Sequence, residues 1–71
     1  MRIKISIYEP AFDDHDTITF PLPEGFHPEG ITTRDAKTIL EGWVEANSIV
    51  TAPRVTGWVV EDLNGKVLAK S

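Results

Sequence analysis

The first eight residues constrain the fold of this chain more than any other segment. Isoleucine recurs at every second position, at Ile3, Ile5 and Ile7, and the positions between are polar or amphipathic. A period of two places the three isoleucines on one side of an extended strand, so the pattern predicts a strand with one buried face. A sheet of such strands needs a covering layer on that face only.

A second strand is predicted at Thr17–Leu22, where Ile18, Phe20 and Leu22 alternate with other residues. The preceding segment, Glu9–Asp16, holds a proline and four acids and predicts a loop. Because Pro21 and Pro23 lack the amide hydrogen that a central strand donates, we expect the second strand at a sheet edge. The segment Pro21–Gly30, PLPEGFHPEG, predicts an irregular connection.

A helix is predicted to begin after Thr32. The Thr32 hydroxyl can accept from the Asp35 amide, and Ile31 can pack on Ala36 across the first turn. Asn47 is a candidate left-handed residue at the helix end. Apolar residues recur at the spacing of one helical face: Ala36, Ile39, Leu40, Trp43 and Val44.

The last third predicts a hairpin, Arg54–Glu61 and Lys66–Lys70 joined by DLNG. A two-residue turn at Asn64-Gly65 would pair Val60 with Ala69. A three-residue loop with Gly65 left-handed would instead pair Val60 with Leu68 and Val59 with Ala69, and we favour it because it buries more apolar side chains. In that register the core side receives Trp58, Val60 and Leu68, and the outer side receives Val55, Val59, Val67 and Ala69.

The elements together predict a single α+β domain over residues 1–71, with the order ββαββ, a four-stranded mixed sheet and one helix across one face. This order resembles the β-grasp fold and is similar to the immunoglobulin-binding domains of protein G. The DLNGK turn resembles the first hairpin turn of ubiquitin-like proteins. The resemblance implies that the first and last strands lie parallel in the centre, with the second and third strands at the edges.

Composition excludes several classes of function. Seven basic residues against eleven acidic ones give a net charge of −4, which argues against nonspecific binding of nucleic acid. The chain has no cysteine and therefore no disulfide, catalytic thiol or thiolate metal site. It has neither an apolar run of about 18 residues nor a leading apolar block, so we expect a cytoplasmic protein that does not span a membrane.

No catalytic or metal motif is recognisable. The Asp13–Asp16 segment contains metal-ligand residue types around His15, but adjacent loop residues rarely converge on one ion, and we interpret it as a solvated loop. His15 and His27 have no serine or carboxylate at a recognisable spacing. We therefore expect no enzymatic activity, cofactor or metal.

Two functional hypotheses follow. The first is a small protein-interaction module that binds a protein partner or forms a homodimer through the open sheet face or the edge of the Arg54–Glu61 strand. The second is a nucleic-acid-binding domain that uses Arg2, Lys4, Tyr8 and Lys66. From its size we expect an accessory or inhibitory factor, of the kind that phages and mobile elements encode. The predicted binding residues are Val55, Val59, Val67, Tyr8, Lys4 and Arg2.

Overall fold

The computed structural model describes residues 1–49 and 53–71 of the chain. Its regular elements are strands β1 (Arg2–Glu9) and β2 (Asp14–Pro21), helix α1 (Thr33–Ala46), and strands β3 (Arg54–Glu61) and β4 (Val67–Lys70). A one-turn 3₁₀ helix, Pro28–Gly30, interrupts the connection that we predicted to be irregular. The predicted α+β class and the order ββαββ are confirmed.

The sheet is fully antiparallel and has the order β2-β1-β3-β4. The predicted mixed sheet is wrong, because β1 pairs with β3 and not with β4. The third strand therefore lies inside the sheet, not at the predicted edge. Burial explains the choice: β3 carries Trp58 and Val60, which need cover, whereas β4 has four residues and none of them is buried. The longer, more apolar strand takes the central position.

β2 lies at an edge of the sheet, as its prolines predicted. It begins at Asp14, three residues earlier than expected, because Asp14, His15 and Asp16 pair with the end of β1. The loop between the two strands is therefore only residues 10–13. Strand pairing outweighs the low strand propensity of aspartate here.

Helix α1 begins as predicted. The Thr32 hydroxyl accepts from the Asp35 amide at 3.2 Å, and the Asp35 side chain accepts from the Thr32 amide at 2.9 Å, which completes a capping box. The end differs by one residue, because Ser48 is left-handed (φ +53°) and Asn47 is not. The amides of Ser48 and Ile49 donate to the carbonyls of Glu45 and Val44, the bond pattern of a Schellman motif.

The core lies between α1 and one face of the sheet. Ile31 and Ala36, the predicted pair across the first helical turn, are both buried in it. Half-buried side chains including Phe20 and Trp43 pack around it, with their rings edge to face at 6.4 Å. Among the described residues, the buried apolar set is Ile3, Ile5, Ile7, Ile31, Ala36, Leu40, Trp58 and Val60.

The final hairpin has the predicted loop but not the predicted register. Gly65 is left-handed (φ +83°), and the Asp62 amide donates to the Lys66 carbonyl at 3.0 Å, so residues 63–65 form the three-residue loop. A second irregularity follows between Val60 and Glu61, so Val60 faces Ala69 and not Leu68. Leu68 is half-buried, and beside it lies an open depression lined by residues 27–29 of the connection before α1.

Candidate interaction surface

The sheet face opposite α1, here called the open face, is not covered by any described element. Its positions follow from the strand register, because residues paired across antiparallel strands point to the same side. β1 contributes alternate residues, and each neighbouring strand contributes their partners. The open face comprises Arg2, Lys4, Ser6 and Tyr8 of β1, His15, Thr17, Thr19 and Pro21 of β2, Arg54, Gly57, Val59 and Glu61 of β3, and Val67 and Lys70 of β4.

An ion-pair cluster is centred on Glu61. The carboxylate oxygen Oε1 accepts a hydrogen bond from Arg2 Nε and lies 3.1 Å from Lys4 Nζ. Glu61 is 6% exposed, while Arg2 and Lys4 each remain partly open to solvent. A nearly buried carboxylate with two cationic partners fixes those two side chains in place on the sheet.

The cations around Glu61 favour its ionised form. The hydrogen bonds from Arg2 first and then from Lys4 hold the pKa of the Glu61 carboxyl below its usual value, against the opposing effect of desolvation. The pKa of the neighbouring Asp62 is also lowered, first by the Lys66 backbone amide and then, after an opposing desolvation effect, by the Asn64 amide. Both amides donate to Asp62 Oδ1, at 2.9 and 2.8 Å, so one carboxylate organises the hairpin loop.

Tyr8 lies at the other end of the open face. Its hydroxyl donates to Asp13 Oδ1 at 2.9 Å, and its ring centroid is 4.7 Å from that of His15 on β2. Asp13 and His15 both belong to the acidic Asp13–Asp16 segment, which we predicted to be a solvated loop. Part of that segment is instead strand, and Asp13 and His15 hold the tyrosine ring in place.

The predicted valine patch is smaller than expected. Val59 and Val67 lie on the open face, where Val67 is 52% exposed. Val55 and Ala69 turn to the other side and pack against the core. The expectation that they point outward is wrong because the β1/β3 and β3/β4 pairs each contain a register shift. Val55 therefore faces the buried Ile7, and Ala69 faces the buried Val60.

The open face is basic although the protein is acidic. It holds four cations, Arg2, Lys4, Arg54 and Lys70, against the single carboxylate of Glu61, a formal charge of +3. Since the whole chain carries −4, the remaining residues carry −7. Segregation of this kind attracts acidic partners to one side of the molecule.

Reasoning from sequence identified Arg2, Lys4, Tyr8, Val59 and Val67 as surface residues but missed Glu61, Lys70 and Arg54. The signal that could have found them is the alternation of charge along the strands. This alternation is informative only when it is known which strands are neighbours in the sheet. Glu61 contacts Arg2 and Lys4 because β3 pairs with β1, and these residues are more than fifty positions apart in the sequence.

Within residues 1–49 and 53–71, no three His, Asp or Glu side chains converge to hold a metal ion, and no helix is long and apolar enough to cross a membrane. Comparison of the chain with family models, with curated proteins and with solved structures found no match.

Proposed function

We propose that this chain is a small, non-enzymatic protein-interaction module whose open face binds an acidic segment of a partner protein. The observation that carries the proposal is the segregation of charge, with +3 on the open face and −7 elsewhere. Complementary charge raises the rate of association and selects against wrong partners more than it adds affinity. The apolar contribution comes from Val59 and Val67, between the cations.

The arrangement of the cations supports a preformed surface. Glu61 holds Arg2 and Lys4, so these side chains have less freedom to lose when a partner binds. Lys70 stands beside Val59 on the neighbouring strand and is exposed. A carboxylate of the partner would meet Lys70 and the free donors of Arg2 and Lys4.

Charge also bears on the homodimer hypothesis. A two-fold dimer places the same surface of both copies together. Joining two open faces would bring four cations against four, with one carboxylate on each side. We therefore favour a different protein as the partner of the open face.

The test is capture of partners from a cell lysate on immobilised protein, followed by mass spectrometry. Lys70→Glu reverses a charge on the open face, and Arg34→Glu makes the same change on the exposed surface of α1. We expect Lys70→Glu to reduce the captured partner several-fold, an effect of the size found for charges at the rim of an interface. Equal capture by both variants, or a greater loss with Arg34→Glu, would place the contact elsewhere.

One observation favours a second candidate, the binding of single-stranded nucleic acid. Tyr8 and His15 form an aromatic pair beside Arg54, and stacking platforms flanked by cations hold single strands. Titration with a thymidine 12-mer tests it. Affinity that falls steeply with salt and is lost in Tyr8→Ala would support this candidate, whereas no binding at 50 mM salt would remove it.

A further inference from the structure

Phe12 is a large apolar side chain that takes no part in the core. It is 78% exposed at the tip of the loop between β1 and β2. The loop is nevertheless ordered: the Phe12 amide donates to the Glu9 carbonyl at 3.2 Å, and the Asp13 amide donates to the Pro10 carbonyl at 3.4 Å. The Tyr8 hydroxyl also holds Asp13. The ring is therefore presented to solvent by a preformed turn, which lowers the entropy cost of a contact.

A groove of about 360 Å³ lies between α1 and the beginning of β3. It remains open because β4 pairs with β3 only from Val59 to Glu61, so no described strand lies beside residues 54–57 on that side. A cavity of about 150 Å³ already admits benzene, so the groove is large enough for a phenyl ring. Its apolar lining is Leu40, Val44, Pro53 and Val55, and its polar lining is Lys37, Glu41 and Arg54.

We propose that the groove receives Phe12 from a second copy of this chain. The charges are complementary: Phe12 is followed by Asp13 and Asp14, whereas the groove carries two cations, Lys37 and Arg54, against one carboxylate. Burial of the exposed ring supplies the apolar driving force. The ion pairs orient the loop and should weaken as salt is added.

The placement of loop and groove allows a closed dimer. Tyr8 pairs with Arg54, so the loop that follows β1 and the groove at the beginning of β3 lie towards the same end of the sheet. Two copies related by a two-fold axis exchange their loops, each inserting one Phe12 into the other, and the association stops at two. The groove shares Arg54 with the open face, but this contact involves neither Lys70 nor the valines of that face. Phe12→Ser therefore tests the dimer and Lys70→Glu tests the proposed function, so their failures are distinguishable.

The experiment is sedimentation equilibrium across a concentration series. We expect the natural protein to dimerise and Phe12→Ser to raise the dimer dissociation constant at least roughly tenfold, since each dimer loses two buried rings. Leu63→Ser is the matched control, because Leu63 is 83% exposed in the other hairpin loop. An unchanged dimer in Phe12→Ser, or a natural protein that stays monomeric at millimolar concentration, would overturn the proposal.

A second measurement does not depend on the folding of a variant. The synthetic peptide EPAFDD, the sequence of residues 9–14, is titrated into the isotope-labelled natural protein, with EPASDD as its control. We expect EPAFDD to shift the methyl signals of Leu40, Val44 and Val55 and to dissociate the dimer by competing for the groove. EPASDD should do neither. Identical responses to the two peptides would contradict insertion of the ring. Shifts caused by EPAFDD in a protein that never dimerises would assign the groove to an aromatic segment of another protein.

Discussion

The indole of Trp58 shows how one side chain joins two elements. Trp58 is 7% exposed on β3, and its Nε1 donates to the Thr33 hydroxyl at 3.3 Å, in the first turn of α1. The bond satisfies the only polar atom of a buried ring and fixes the beginning of the helix over the sheet.

Removal of this acceptor gives a prediction at the residue scale. Thr33→Ala should lower the free energy of unfolding by about 1 kcal/mol, since the indole N–H loses its protein partner. Thr33→Ser keeps the hydroxyl and should retain most of the stability. Urea denaturation followed by tryptophan fluorescence measures both. Equal losses of unfolding free energy in the two variants would show that the hydrogen bond to the Thr33 hydroxyl does not stabilise the fold.

Acid sensitivity is also set by single residues. The pKa values of Glu61 and Asp62 lie below their usual values of 4.5 and 3.8 in the folded protein. The folded state is therefore stabilised when these two carboxyls are ionised. The stabilisation is complete above those usual values and is lost as the pH falls through the lower, folded-state values.

We therefore expect the free energy of unfolding to fall as the pH is lowered below about 4.5, with part of this dependence absent in Glu61→Gln and in Asp62→Asn. Urea denaturation at intervals from pH 7 to pH 3 measures the slopes. Glu24→Gln is the control, because Glu24 is exposed in the connection before α1. A slope that both variants leave unchanged would contradict the role of these carboxylates.

At the scale of elements, the end of α1 contains a strained residue. Ser48 adopts a left-handed conformation (φ +53°), which costs a residue with a Cβ roughly 1–2 kcal/mol and costs glycine little. Ser48→Gly should accordingly raise the free energy of unfolding by about 0.5–1 kcal/mol. Ser48→Ala keeps the strain and should give no gain. Thermal unfolding compares the two, and a Ser48→Gly variant less stable than Ser48→Ala would contradict the left-handed end.

Local elements were predictable because their signals lie close together in the chain. The capping box of α1 needs only Thr32 and Asp35, and the loop before β4 needs Asp62 and Gly65. The register beyond that loop was not predictable, because the irregularity at Val60 depends on packing against the core. The side chain of Ala69 therefore points opposite to the prediction.

At the scale of the whole molecule, sheet order is what sequence reasoning got wrong. The same four strands fit a β-grasp arrangement and the observed antiparallel order, and the difference is which strand lies beside β1. Burial of Trp58 and Val60 and the ion pairs of Glu61 both favour β3 in that place, and each depends on contacts across the whole chain. Of the six predicted binding residues, five lie on the open face and Val55 does not.

The open face as a binding surface is the central claim, and mapping a captured partner onto the protein by amide chemical shifts tests it most directly. Isotope-labelled protein is titrated with that partner at low and at high salt. We predict shifts concentrated on Lys4, Val59, Glu61 and Lys70, with affinity reduced by salt. Shifts confined to α1, with these four amides unchanged, would contradict the account.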